Sequence, residues 1–186
     1  MFIQTEHTPN PATLKFIPGK SVLGDGTVDF RDKAEAASSP LAQRLFGVDG
    51  VTGVFLGSDF ISVTKSEGDE WQHIKPAILG AIMEHYMSGA PVIEGGDVAP
   101  AAADGDYDPK DGDTVKTIKE LLDTRVRPAV ANDGGDIVFH GFKEGVVFLH
   151  MRGACAGCPS STATLRHGIE NLLKHFCPDV QEVRAV

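Results

Sequence analysis

Short apolar runs in the first part of the chain predict β-strands. Residues 1–6 and 13–17 form two such runs, which are separated by the turn sequence TPNP. A longer stretch, VTGVFLGSDFISVTK at residues 51–65, carries apolar residues on both sides of Gly57-Ser58-Asp59. That arrangement is typical of two strands joined in a hairpin.

Two helices are predicted in the same part of the chain. The first follows Ser39-Pro40, with Ser39 as its cap, Pro40 in its first turn and Gly47 at its end. The second covers residues 70–88 and is stopped by Gly89. Its apolar positions recur every four residues, at Ile74, Ile78 and Ile82. Strands and helices together indicate an α+β unit, and this unit contains no cysteine.

The second part of the chain repeats this mixture in another order. Residues 114–131 predict a helix that Pro128 is expected to kink or end early. The turn NDGGD at 132–136 leads into a hairpin around residues 143–145. A last helix begins near Pro159 and a closing strand ends the chain. The apolar positions of the last helix are Leu165, Ile169, Leu172, Leu173 and Phe176. The predicted order is helix, strand, strand, helix, strand.

The segment between the two parts is acidic and almost free of large apolar residues. Residues 94–112 are rich in Gly, Ala, Pro and Asp, which bury too little surface to offset the entropy of ordering. We therefore expect a flexible acidic linker at 94–112, with one small domain at 1–93 and another at 113–186. The fold class is α+β with two small domains.

Charge and composition exclude several classes of function. The net charge of −9 and the absence of a basic run argue against nucleic-acid binding. No apolar stretch approaches the roughly 20 residues that a membrane helix needs. The first residues have neither the basic nor the apolar region of a signal peptide, so a cytoplasmic protein is expected. Three cysteines do not make a disulfide framework, and a reducing compartment fits them best.

The candidate chemistry lies in GACAGCPSS, residues 153–161, where Cys155 and Cys158 share one loop. The loop joins a predicted strand to the start of the last helix. Unpaired N–H groups in the first turn of that helix would stabilise a thiolate. Ser160, Ser161 and Thr162 are candidates for hydrogen bonds to sulfur or to free carbonyls.

Four interpretations of this pair remain open from the residues alone. The two cysteines are incidental neighbours, a dithiol redox pair, half of a zinc site, or half of an iron–sulfur site shared by two copies of the chain. A closed metal site needs four ligands, and the chain contains no second Cys-x-x-Cys and no paired histidines. Two-fold symmetry would double two thiolates to four.

Other possible ligands are weaker candidates. Cys177 lies at the far end of the last helix, roughly 27 Å from the loop at ~1.5 Å per residue. It is therefore expected to be a buried or incidental thiol. His150 is expected inside a strand and His167 on the polar side of the helix. Asp133 and Asp136, in DGGD, are expected to form a tight turn that shapes the loop rather than to bind metal.

Several of these segments resemble a known family. GACAGCPSSTATLRHGIENLL and ELLDTRVRPAVANDGGDIVFHGF are similar to the NifU-like carboxy-terminal domain. FIQTEHTPNPATLKFIPGK, SPLAQRLFGVDGV and FISVTK resemble the amino-terminal domain of Nfu-type proteins. The resemblance covers nearly the whole chain outside the linker, and it identifies the chain as a member of the Nfu family of iron–sulfur cluster scaffolds and carriers.

The resemblance implies a non-enzymatic carrier. It implies that Cys155 and Cys158 ligate a [4Fe–4S] cluster, with one pair from each subunit of a homodimer. Implied partners are upstream iron–sulfur assembly scaffolds and apo iron–sulfur enzymes as recipients, and domain 1–93 would recognise partners. The rival functions are a Cys-x-x-Cys dithiol oxidoreductase and a zinc-stapled interaction module. The expected location is the bacterial cytoplasm, or the mitochondrial matrix if a presequence has been removed.

Overall fold

A computed structural model describes residues 1–95, 105–156 and 159–186, with side chains of the last range described from Thr162 onward. The chain divides into two compact units, residues 1–100 and 101–186. Both units contain helices and sheet, so the α+β fold class is confirmed. The boundaries 1–93 and 113–186 and the linker between them stay predictions.

The first unit is built on a five-stranded antiparallel sheet. Its strands are β1 (Gln4–His7), β2 (Thr13–Ile17), β3 (Val28–Phe30), β4 (Val51–Leu56) and β5 (Ile61–Lys65). Their spatial order is β1-β2-β5-β4-β3. The predicted hairpin corresponds to β4 and β5. The three-residue β3 was not predicted, because so short an edge strand has no periodicity to detect.

Two helices complete the first unit as the sequence predicts. Helix α1 covers Pro40–Phe46, and the backbone N–H of Ala42 donates to the Ser39 hydroxyl at 3.1 Å. Helix α2 covers Trp71–Ser88 and ends at Gly89, whose φ of 70° is left-handed. The predicted apolar face of α2 is buried, at Ile74, Ile78 and Ile82.

His85 is an unusual member of the buried face of α2. Its side chain is 0% exposed, and neither ring nitrogen has a hydrogen-bond partner among the residues that the structure describes. Burial, and to a lesser extent the positive charge of Arg44, lowers the pKa of His85 below its usual 6.5. The imidazole is therefore neutral in the folded protein at neutral pH, and its polar atoms lose water without compensation.

We expect His85→Leu to raise the free energy of unfolding of the first unit by about 1–3 kcal/mol at neutral pH. Below pH 6.5 the unfolded wild-type chain gains a proton that the folded state does not, so its stability falls by up to about 1.4 kcal/mol per pH unit. The His85→Leu variant has no imidazole at this position, so it should not show this loss of stability at low pH. Urea unfolding at pH 5.5 and 7.5, followed through Trp71, the one tryptophan of the chain, measures both effects.

His73→Leu is the matched control, because His73 is exposed on the same helix. That variant should keep the acid sensitivity of the wild type. An unchanged pH dependence in His85→Leu would contradict the assignment of that sensitivity to His85.

The second unit contains a four-stranded sheet with helices packed against it. The sheet order is β6-β7-β8-β9, with β7 and β8 antiparallel and both outer strands parallel to their neighbours. Its strands are β6 (Asp106–Tyr107), β7 (Gly135–Lys143), β8 (Val146–Gly153) and β9 (Glu182–Ala185). Its helices are α3 (Gly112–Leu121), α4 (Arg127–Asn132) and α5 (Pro159–Phe176), and after β6 the order along the chain is helix, strand, strand, helix, strand.

Strand β6 lies inside the segment predicted to be a linker. Residues 96–104 of that segment lie outside the described residues, but Asp106–Tyr107 pairs with Gly141–Phe142 and a 3-10 turn follows at Pro109–Asp111. Gly141 permits this pairing, since a Cβ there would meet the carbonyl oxygen of Asp106 at 2.7 Å. Composition alone could not reveal a two-residue strand that depends on a distant glycine.

The predicted helix at 114–131 is interrupted rather than ended. A π-helical turn, Leu122–Val126, joins α3 to α4. In a regular α-helix the ring of Pro128 would clash with the carbonyl of Thr124, and a wider turn relieves that clash. The helix therefore continues past Pro128 to Asn132.

The fold brings two chain segments together at one end of the second sheet. Strand β7 begins at Gly135, separated by two residues from the end of α4 at Asn132, and β8 ends at Gly153, the first residue of the cysteine loop. These two residues are register partners in the antiparallel pair. The DGGD turn and residues 153–156, which are about 20 residues apart in sequence, are thereby neighbours.

Candidate metal centre

Cys155 occupies a tight turn between β8 and α5. Gly153 has a φ of 66°, a left-handed conformation that starts the turn, and the N–H of Ala156 donates to the Gly153 carbonyl at 3.1 Å. The N–H of Ala154 donates to the Gly134 carbonyl at 3.2 Å, which ties the turn to the DGGD segment. Cys158 and Gly157 lie outside the described residues.

The sulfur of Cys155 rests against the backbone of Gly135. A Cβ added to Gly135 would lie 2.8 Å from Cys155 Sγ and 2.7 Å from the carbonyl oxygen of Arg152. No real side chain tolerates such distances, so only glycine fits. Because Gly135 has no side chain, the Cys155 sulfur has room against its backbone, whereas the sequence pattern predicts only a tight turn at this position.

The start of α5 is tied to the same turn. The hydroxyl of Thr162 donates to the Cys155 carbonyl at 2.9 Å, which fulfils one of the predicted roles for the Ser-Ser-Thr run. The side chains of residues 160 and 161 are not described. This bond holds the turn before α5 in a fixed relation to its helix.

The electrostatic environment of Cys155 differs from the expectation. Its side chain is only 7% exposed, and burial raises the pKa of its thiol to about 12, with further increases from the carboxylates of Asp133 and Asp136. The direction of this pKa shift is opposite to the one expected for a thiolate stabilised by the helix start. Cys155 is four residues before Pro159, where α5 begins, and its burial disfavours the charged thiolate.

Asp136 is held by a two-pronged ion pair. Arg127 Nε lies 2.9 Å from Asp136 Oδ1, and Arg127 Nη2 lies 3.0 Å from Asp136 Oδ2. The third nitrogen of the guanidinium, Nη1, donates to Asp123 Oδ1 at 3.1 Å. Asp136 is 3% exposed, so the pair satisfies a carboxylate that would be costly to bury alone. The expectation that Asp136 shapes the turn rather than ligating is consistent with this pair.

The other sequence candidates that the structure describes make contacts of their own. Cys177 is 5% exposed in the core of the second unit, and its N–H donates to the Leu173 carbonyl at the end of α5. His150 Nδ1 lies 3.1 Å from the carbonyl oxygen of Val186, and His167 is exposed on α5. Across residues 1–95, 105–156 and 162–186, no three His, Cys, Asp or Glu side chains converge as metal ligands would.

The donor chemistry suits a soft metal held by sulfur. Cys155 offers one thiol in a glycine-lined cradle, and the carboxylate of Asp136, an oxygen ligand of the kind that hard ions prefer, is paired with Arg127. One described sulfur does not complete a four-ligand centre. Any closed metal centre at this turn needs further sulfur ligands.

Comparison with known families decides the relationship. The family model "Scaffold protein Nfu/NifU N terminal" matches residues 3–89, and the model "NifU-like domain" matches residues 118–184. The two matches occur in the order that the sequence motifs predict. The chain belongs to the Nfu family.

Its relatives within the Nfu family are named as scaffolds. The chain is 53% identical over 187 residues to "NFU1 iron-sulfur cluster scaffold homolog, mitochondrial" of Drosophila sechellia and 52% identical to the protein of that name in Drosophila erecta. These alignments cover 100% of this chain and 65% of each relative. The chain therefore spans slightly less than two thirds of the length of these relatives.

A solved structure is also similar. The solution structure of a NifU-like protein from Saccharomyces cerevisiae aligns with a TM-score of 0.47 and 28% sequence identity. The alignment covers 51% of this chain and 86% of the yeast chain.

The names of these relatives bear on the two expected locations, the bacterial cytoplasm and the mitochondrial matrix. The Drosophila relatives are named mitochondrial, which agrees with the matrix alternative and lends nothing to a bacterial cytoplasm. No helix in the described ranges is long and apolar enough to cross a bilayer.

Proposed function

We propose that this Nfu-family chain is an iron–sulfur cluster scaffold that carries a [4Fe–4S] cluster and delivers it to apo-enzymes. Cys155 and Cys158 are its proposed ligands, with one pair from each of two subunits. The observation that carries the proposal is the buried Cys155 thiol in its Gly135 cradle, combined with the scaffold names of the relatives. The role is one of binding and transfer, not of catalysis.

Sharing the cluster between two copies follows from ligand supply. The residues that could add to Cys155 from the same chain are Cys158 and Cys177, and Cys177 is buried in the core beyond the far end of α5. Two thiols per chain become four in a symmetric dimer, which is the number that a cubane cluster needs. A cluster at such an interface is open to stepwise replacement of its ligands by the thiolates of an acceptor.

The state of Cys155 suits a carrier that must release its cargo. Binding to iron removes the thiol proton, and release returns it, because at neutral pH the free thiol of pKa about 12 is protonated. A carrier with such a ligand gives up its cluster to acceptor thiolates without leaving a buried, uncompensated charge. The same feature disfavours the dithiol oxidoreductase, which needs a low-pKa thiolate as its nucleophile.

We propose that the two domains have separate roles. Residues 113–186 hold the cluster, and residues 1–93 recognise partners, namely upstream assembly scaffolds and recipient apo-enzymes. The mitochondrial matrix is the proposed location, in line with the names of the Drosophila relatives. Nucleic acid and membranes are not among the proposed partners.

Metal analysis after purification and reconstitution without oxygen tests the proposal against both rivals. Iron and acid-labile sulfide in equal amounts, with a broad visible absorption, are expected. Zinc without sulfide would contradict the proposal in favour of the zinc-stapled module. Rapid reduction of insulin disulfides that depends on Cys155, with no uptake of iron, would contradict it in favour of the oxidoreductase.

A further inference from the structure

The turn that contains Cys155 is supported by the ion pair of Arg127 and Asp136, neither of which is a proposed cluster ligand. Asp136 directly follows Gly135, whose backbone contacts the Cys155 sulfur. Arg127 grips Asp136 through two parallel bonds of 2.9 and 3.0 Å, a geometry that fixes direction as well as distance. A movement of Asp136 would therefore also move its neighbour Gly135, the residue against which the Cys155 sulfur rests.

The π-helical turn sets the position of this arginine. The backbone N–H of Arg127 donates to the carbonyl of Leu122, five residues earlier, instead of to the carbonyl four residues earlier. The extra residue rotates Arg127 relative to α3, and its guanidinium then lies between Asp123 and Asp136. Wide turns of this kind are frequent at functional sites.

The charges of Arg127 and Asp136 also affect the electrostatic environment of the proposed cluster site. Asp136 directly follows Gly135, which lies against the Cys155 sulfur, so its negative carboxylate opposes negative charge on a cluster bound there. Arg127 brings a positive charge to the same carboxylate and stays protonated, since its pKa is raised by Asp136 and Asp123. Its charge offsets that of Asp136 at the place where thiolates must accumulate.

We infer that Arg127 is a positioning residue for Cys155, which fixes the Gly134–Asp136 floor of the cradle and compensates the charge of Asp136 beside the cluster. The compensation part rests on the proposed function. The positioning part concerns the chain without cluster and is tested separately.

The first experiment uses the full chain without cluster and measures hydrogen exchange of the Ala154 amide by NMR. This amide donates to the Gly134 carbonyl and reports on the contact between turn and floor. In Arg127→Gln its exchange should accelerate by about tenfold or more, while amides of the β7–β8 pair far from the turn keep their rates. Arg127→Lys keeps the positive charge but cannot form the two parallel bonds to Asp136. Its Ala154 exchange rate should lie between those of Arg127→Gln and the wild type.

Arg125→Gln is the matched control, because it removes the same charge two residues away. The Arg125 guanidinium packs over the ring of Phe176, the last residue of α5, at 5.1 Å. Unchanged exchange of Ala154 in Arg127→Gln, or equal acceleration in Arg125→Gln, would overturn the positioning role.

The second experiment measures the reduction potential of the reconstituted cluster. Removing positive charge in Arg127→Gln should lower the potential, and removing negative charge in Asp136→Asn should raise it, although both changes weaken the same ion pair. A purely structural role would shift both potentials in one direction, and that result would overturn the compensation. If the wild type takes up no cluster while Ala154 still responds to Arg127→Gln, the proposed function and the compensation fail, and the positioning stands.

Discussion

Gly135→Ala is expected to lower the affinity of the protein for its cluster by about 10- to 100-fold, the range observed when the support of a metal ligand is disturbed. The added Cβ would lie 2.7 Å from the carbonyl oxygen of Arg152 and 2.8 Å from Cys155 Sγ. The first of these atoms is backbone within a paired strand and cannot rotate away. The cysteine turn must therefore move, and the sulfur must leave its place.

The same substitution should also cost about 1–3 kcal/mol of stability, as overpacking usually does. Iron and sulfide content after reconstitution, together with the thermal unfolding of the apo protein, measures both effects. Gly168→Ala is the matched control, because a Cβ at Gly168, on α5, would meet no described atom within 4 Å. That variant should load normally and gain roughly 0.5–1 kcal/mol from better helix propensity. Normal loading of Gly135→Ala would contradict the cradle.

Cys155→Ser is expected to abolish cluster binding, and Cys158→Ser should do the same. A serine hydroxyl is a hard, weakly acidic ligand that does not replace a thiolate on iron. Cys155 is buried beside Gly135, so the hydroxyl would also occupy a cradle shaped for sulfur. The iron content of reconstituted variants, determined on protein that remains folded by circular dichroism, provides the measurement.

Cys177→Ser separates ligation from structure. Cys177 belongs to the core of the second unit, so its replacement by a polar hydroxyl should lower stability by about 1–3 kcal/mol. The variant should nevertheless bind as much iron and sulfide as the wild type. A folded Cys177→Ser protein without cluster would contradict the assignment of the ligands to the loop.

Local sequence patterns were sufficient for most of the regular elements. The four-residue repeat of Ile74, Ile78 and Ile82 identifies the buried face of α2. Ser39 caps the start of α1 with its hydroxyl, and Gly89 ends α2 in a left-handed conformation. Phe176 is an exception, because it was placed on the apolar face of α5 but is 45% exposed under the Arg125 guanidinium.

What sequence reasoning missed at the site depends on contacts between distant segments. The role of Gly135 arises from strand register, which places it opposite Gly153 and beneath Cys155. The pairing of Arg127 with Asp136 depends on a π-turn that no periodicity shows. The raised pKa of Cys155 depends on burial, which the motif Cys-x-x-Cys does not encode.

The location of the candidate ligands was predictable because it is local. The Cys-x-x-Cys spacing, the flanking glycines and the following proline all lie within nine residues, and the absence of a second ligand pair can be read directly from the chain. That absence remains the strongest reason to expect a second copy at the site.

Native mass spectrometry of the reconstituted full chain, combined with iron and sulfide analysis of the same sample, tests this central claim most directly. We predict a dimer that holds about four irons and four sulfides, and a monomer after the cluster is removed by a chelator. A monomer that retains a complete cluster would contradict the account, because one chain would then have supplied every ligand.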